Sequence, residues 1–193
     1  MFSIGDNVMH CAHGAGVITE KKKMQITDVP KQYLVIQMLG SDSTLMVPVD
    51  YAEERLRPAC ERAKLQRLLI SGLSSEPEAL PQDYKQRTKD LESKIKSGQV
   101  KKWIGVVRDL MHRDEQRSLS QGDQKLLDRA MDLLSGELAL AQGISQAEAM
   151  PRLRSIIQHR HELAGYQAEN TTWWRTVGQK LIEPFAKSSM GSN

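Results

Sequence analysis

His10, Cys11 and His13 stand within four positions of one another, and such a cluster could hold a soft metal or activate a thiol. A structural zinc site needs a second, separated pair of ligands, and none follows at a suitable spacing. Cys11 as a nucleophile would need an oriented acid or base partner, and the sequence places none. Gly14 and Gly16 account for the segment as a turn. His159 and His161 are two apart and so do not share a helical face, which makes them a polar helix end rather than a metal pair. No phosphate loop, paired carboxylates or oriented nucleophile stands out, so an enzyme is not expected, nor a cofactor or metal. The remaining chemistry is cationic. Lys101, Lys102, Arg108, His112 and Arg113 fall mostly outside the apolar stripe Val100, Trp103, Ile104, Val107, Leu110 and Met111. A basic helix face beside a tight helix junction suits a reader of the DNA backbone, and a solvated helix surface with ordinary ion pairs is the plainer alternative.

The charge distribution bears on that choice. The 193 residues carry a net charge of +3, but residues 1–57 sum to −1 and residues 94–129 to +4. The basic excess therefore sits in the second half. That asymmetry suits a first half that meets protein and a second half that meets a polyanion. With 39% hydrophobic residues and 26% charged, the chain is an ordinary globular sequence of one or two domains. No apolar run nears the ~20 residues of a membrane span, and the first residues lack the pattern of a secretory signal. Two cysteines, Cys11 and Cys60, are too few for a disulfide framework, so a cytoplasmic setting is expected.

Two kinds of element position these residues. Residues 1–57 read as short strands: Asn7–His10, then Val17 to about Met24, Tyr33–Leu39 and Thr44–Val47, with His13–Gly16 as a turn and Leu56 closing the sheet. That is a small all-β module. Lys21–Lys23 is a solvated strand face that also guards a sheet edge. From Pro58 the period becomes helical. Cys60–Ile70 is stopped by Gly72, and a helix over Asp83–Lys96 carries Tyr84, Thr88, Leu91 and Ile95 on one face. The Val100 helix follows, then one from Gln121 to about Ala141 that Ser120 caps, with Asp123 in the place of the usual Glu of a capping box. Gly136 inside that helix marks a close approach. Ser145 and Glu148 form a capping box for a last helix that contains Pro151. Trp173, Val177, Leu181 and Phe185 then repeat every four residues, with Trp174 and Ile182 beside them. They suit a short amphipathic helix that packs on the helical half, binds a partner, or lies on a membrane surface.

The blocks Ser97–Val100, Val107–Leu110 and Leu119–Asp123, together with IGDNVMHCAHGAGVI at Ile4–Ile18, resemble the CarD-like transcription regulators, also called CdnL. The likeness covers roughly residues 1–145. It implies an α+β chain: a Tudor-like barrel over 1–58 that docks on the RNA polymerase β subunit, a helical DNA-binding domain over 59–165, and a tail over 166–193. In the family, an aromatic residue just after the Asp-Leu of the central helix wedges into the minor groove of promoter DNA at the upstream edge of the bubble, which prolongs the open complex. Met111 occupies that position here. For promoter DNA, the resemblance points to Met111, and Lys101, Lys102, Arg108, His112, Arg113 and Lys125 are the candidates for phosphate contacts around it; for the polymerase, it points to Lys22, Lys23, Met24, Thr44, Leu45, Met46, Val47 and Pro48. Met24 and Met46 replace arginines found in some members. A monomer off the polymerase, nucleoid-associated and without membrane contact, is the implied state. An adaptor that keeps the protein contact but has lost DNA is the alternative.

Overall fold

The computed structural model describes residues 2–25 and 30–159. An antiparallel sheet comes first, with strands β1 (Asn7–His10), β2 (Gly14–Met24), β3 (Lys31–Met38), β4 (Thr44–Pro48) and β5 (Leu56–Pro58), in the order β4-β3-β2-β1-β5. It curls like a barrel but does not close, because β4 and β5 remain its two edges. A 3-10 turn (Val49–Tyr51) and the one-turn helix α1 (Ala52–Arg55) carry the chain from one edge to the other. The turn expected over His13–Gly16 is shorter than expected. β2 already begins at Gly14, whose φ of +94° lets the chain double back onto β1. Gly16 is needed for space, since a Cβ there would lie 2.5 Å from the Ile36 side chain.

Alternation explains how this small sheet serves two cores. On β1, Val8 points into the sheet's own core with Ile18, Leu34, Ile36, Val47 and Leu56. Met9, its neighbour, points the opposite way and joins the helical core together with Ala15. Burying Met9 at 1% exposure contributes about 1.5–3 kcal/mol to holding the halves together. Lys21, Lys22 and Lys23 lie on the stretch of β2 that runs beyond β1, whose pairing stops at Val17. That stretch is bonded only to β3 on one side, so the lysines flank an open edge.

The helices are α2 (Arg62–Leu73), α3 (Tyr84–Lys96), α4 (Val100–Gln116), α5 (Gln121–Gln142) and α6 (Gln146–Gln158). Gly72 does not stop α2. It lies inside the helix, where any Cβ would meet Ile104 at 2.7 Å, so it is a packing glycine between α2 and α4. Gly136 marks the close approach that its position implies: a Cβ there would stand 2.8 Å from that of Ala15, where α5 crosses β2. Ser120 caps α5 by accepting the Asp123 N–H, but the Asp123 carboxylate turns to Arg87, so the expected box is half made. Ser145 and Glu148 complete theirs, and α6 continues through Pro151. Tyr84 does not share the buried face of α3. It is exposed, and the inward positions go to Arg87, Leu91 and Ile95. Trp103, wholly buried, anchors the core and donates its indole N–H to the Ile95 carbonyl at 2.8 Å. The Trp173–Phe185 stretch lies outside the described residues.

Candidate functional site

Two surfaces and the joint between them make up the site. On the sheet, register decides which side chains share a face. Lys22 stands opposite Tyr33, and Tyr33 opposite Pro48. Glu20, Val35 and Met46 form the next row, and Met24 and Lys31 the row beyond Lys22. Side chains two apart on a strand share a face, so Lys22, Met24, Thr44, Met46 and Pro48 look outward together with Tyr33 and Lys31. Lys23, Leu45 and Val47 face the other way. Val47 is buried in the sheet core and can offer a partner only its backbone, while Leu45 packs against that core with its side chain partly exposed. Met46 is 44% exposed, on the strand that among the described residues pairs only with β3. The result is a mixed face of apolar and cationic side chains with one acid, Glu20, bordered by a strand that is an edge among the described residues.

On the helical side, Lys101, Lys102 and His112 of α4 and Lys125 of α5 are exposed. Two of the expected phosphate contacts are drawn elsewhere. Arg108 bonds the neighbouring Asp109 carboxylate at 2.7 Å and the Ser75 hydroxyl at 2.5 Å, which ties it to the loop after α2. Arg113 is turned inward, its side chain only 10% exposed, and its Nε faces Asp123 at 3.8 Å. Burial pulls its pKa down, and the nearby Arg87 and Arg117 add to that, so it behaves as an internal cation. Met111 is half-buried against the helical core rather than projecting as a free wedge. The sequence reading also missed Asp109, which is buried and accepts the Glu78 N–H at 2.9 Å. The amphipathic pattern carries no mark of an acid that faces inward to hold a loop.

The joint is built on Arg57 and Glu137. Arg57, on β5, meets the wholly buried Glu137 of α5 through two bonds of 3.0 and 2.6 Å. Glu137 also accepts the Cys60 N–H. Arg57 Nε donates to the Gly98 carbonyl at 2.8 Å, and its guanidinium lies 5.2 Å from the Trp103 ring centre. One planar cation thus binds the last strand to the α3–α4 turn, α4 and α5. Arg129 of α5 donates to the Ala12 carbonyl in the turn after β1. Burial pushes the Cys60 thiol up, with Glu137 reinforcing it, so it is a poor nucleophile.

His10 likewise serves structure. Its Nδ1 accepts the N–H groups of Ala12 and His13 at 3.0 and 3.1 Å, so the lone pair a metal would use is already engaged. Burial, followed by the charges of His13 and Arg55, lowers its pKa from 6.5 to about 4. The folded state therefore favours the neutral ring. The contribution is complete above about pH 6.5 and is lost as pH falls towards 4, at most about 3 kcal/mol. His10→Asn keeps a side-chain acceptor for the turn without the proton. Urea midpoints at pH 7 and pH 4.5 should differ less in that variant than in the parent chain. An equal pH dependence in both would exclude His10 as the cause.

A curled β-module with a partly apolar edge strand, locked to a helical bundle through Arg57 and Glu137, defines a two-part α+β class of protein. Two family models match the chain: the CarD-like/TRCF RID domain over residues 2–60 and the CarD C-terminal domain over residues 69–154. The chain belongs to the CarD-like family. It is 33% identical over 149 residues to a protein named putative transcription factor YdeB, from Bacillus subtilis (strain 168). That alignment covers 77% of this chain and 97% of the relative. Among the described residues, no helix is long and apolar enough to cross a membrane.

Proposed function

We propose that this chain is a transcription regulator. It holds the RNA polymerase β subunit through the outward face and open β4 edge of its sheet. It contacts promoter duplex at the upstream edge of the bubble through α4 and the start of α5, and so stabilises the open complex. The observation that carries this reading is the register, which gathers Lys22, Met24, Met46 and Pro48 on one face beside a strand edge that is unpaired among the described residues. Edge strands of this kind accept an extended partner through main-chain bonds, with alternate side chains setting specificity. On the helical side, the exposed Lys101, Lys102 and Lys125 supply the cations for phosphates, and the exposed His112 ring, beside Glu115 and Gln116, is a further polar group on that face.

The adaptor reading draws on Arg108 and Arg113, which lie in internal ion pairs. Tagged full-length chain should retrieve RNA polymerase from a bacterial extract, and Met46→Glu should reduce the yield at least tenfold with an unchanged melting temperature. The double variant Lys101→Glu/Lys102→Glu should still retrieve polymerase. Its affinity for any duplex should fall several-fold, with a shallower dependence on salt. Polymerase retrieval without salt-dependent DNA binding in the parent chain would make the adaptor the correct reading. No retrieval at all by a folded chain would overturn the polymerase contact and make an adaptor for another partner the leading reading.

A further inference from the structure

Between α4, α5 and α6 lies a groove of about 220 Å³, walled by Met111, Leu127, Met131 and Ile157 and rimmed by Asp128 and Arg154. Met111 and Met131 are only partly buried, so two thioethers line an open apolar slot. An apolar cavity of about 150 Å³ is known to hold benzene, so a slot of this size admits one aromatic side chain. Thioether sulfur makes favourable contacts with aromatic rings, and unbranched methionines adapt to their shape. The occupant is indicated by where the chain goes next. Ile157 is part of the wall, and α6 ends one residue later at Gln158. The chain thus leaves the helix beside the groove and continues into residues 160–193, which hold Trp173, Trp174, Val177, Leu181 and Phe185. A tether of about 14 residues can reach roughly 46–50 Å when extended, far more than a return to the groove requires. Its closure entropy grows only slowly with length.

We infer that this groove is a receptor for the chain's own C-terminal segment, with one indole of the Trp173-Trp174 pair entering between Met111 and Met131. The consequence rests on the reading above: Met111 also lies where the family resemblance implies contact with promoter DNA, so the segment and DNA compete for it. The C-terminal segment then sets the affinity of the helical half for duplex.

The full-length chain carrying 13C-methyl methionine tests this directly. The Met111 and Met131 methyl signals are assigned with Met111→Leu and Met131→Leu. Ring currents should displace both signals in the parent chain. The double variant Trp173→Ala/Trp174→Ala should return them to ordinary methionine positions, while a 20-base-pair duplex should bind it at least threefold more tightly. Identical methyl signals in parent and double variant would overturn the receptor. Displacements that grow with protein concentration would overturn it too, in favour of a second copy as occupant. Displacements that vanish in the double variant, with equal DNA affinity, would uphold the receptor and overturn the competition. Absence of any duplex binding in either chain would strike the DNA reading alone.

Discussion

Asp123→Ala is expected to destabilise the protein by about 3–5 kcal/mol, lowering its melting temperature by roughly 10 °C. The Asp123 carboxylate is wholly buried and takes the Nε and Nη2 protons of Arg87 at 3.1 and 3.2 Å. Arg113 faces it from α4. Arg87 in turn donates to the Pro81 and Gln82 carbonyls, so one acid joins the start of α5 to α3, α4 and the loop before α3. Removing the acid leaves two guanidinium groups buried with no counter-charge, a far larger cost than losing a surface ion pair. Burial opposes the Asp123 charge, yet the bonds from Arg87 and Ser120 and the charges of Arg87 and Arg113 outweigh it, so its pKa lies below the ordinary aspartate value. Its stabilising effect is therefore present above about pH 4 and is lost as pH falls through the lowered folded value. Calorimetry at pH 7 decides the matter. Asp123→Asn keeps the shape and some acceptor capacity and should lose less. A drop below about 2 °C for Asp123→Ala would show that the arginines find other partners.

Glu137→Ala should have the next largest effect, about 2–3 kcal/mol. The figure is smaller because Arg57 is 31% exposed, and water can take over part of its solvation. The more telling consequence is mechanical. Arg57, Cys60 and the Gly98 turn would lose their common anchor, and the apolar packing of Met9, Ala15, Val17 and Leu39 together with the Arg129 bond would be left to couple sheet to bundle. Amide exchange should show it: protection in β1 and β5 should fall by roughly tenfold or more, while α3 and α6 keep theirs. Uniform loss across the whole chain would mean that Glu137 supports global stability rather than the joint. On the proposed function, a loosened joint also leaves separate polymerase and DNA affinities intact while shortening open-complex lifetime, because the two contacts no longer sit at a set distance.

How the chain was legible follows from the range of each interaction. The sequence by itself determined the class of fold and most element boundaries. Helical periodicity across Val100–Met111 needs only neighbours within two turns, and the caps at Ser120 and Ser145 act within three residues. Trp103 as core and Gly136 as a contact glycine were readable for the same reason: a bulky apolar group in a stripe and a lone glycine in a helix have few other uses. The tertiary structure alone decided which charges are available. Arg108 and Arg113 look as free as Lys101 and Lys102 in a helical pattern. Their partners Ser75 and Asp123 come from other elements, and a buried ion pair leaves no periodic trace. Gly72 showed the same limit, because whether a glycine ends a helix or admits Ile104 depends on a neighbour found only after packing. The Arg57–Glu137 joint spans 80 positions, and long-range complementarity of two charges has no local signature. Local physics thus wrote the elements into the sequence, and only the packed chain settled which side chains face inward and which remain for a partner.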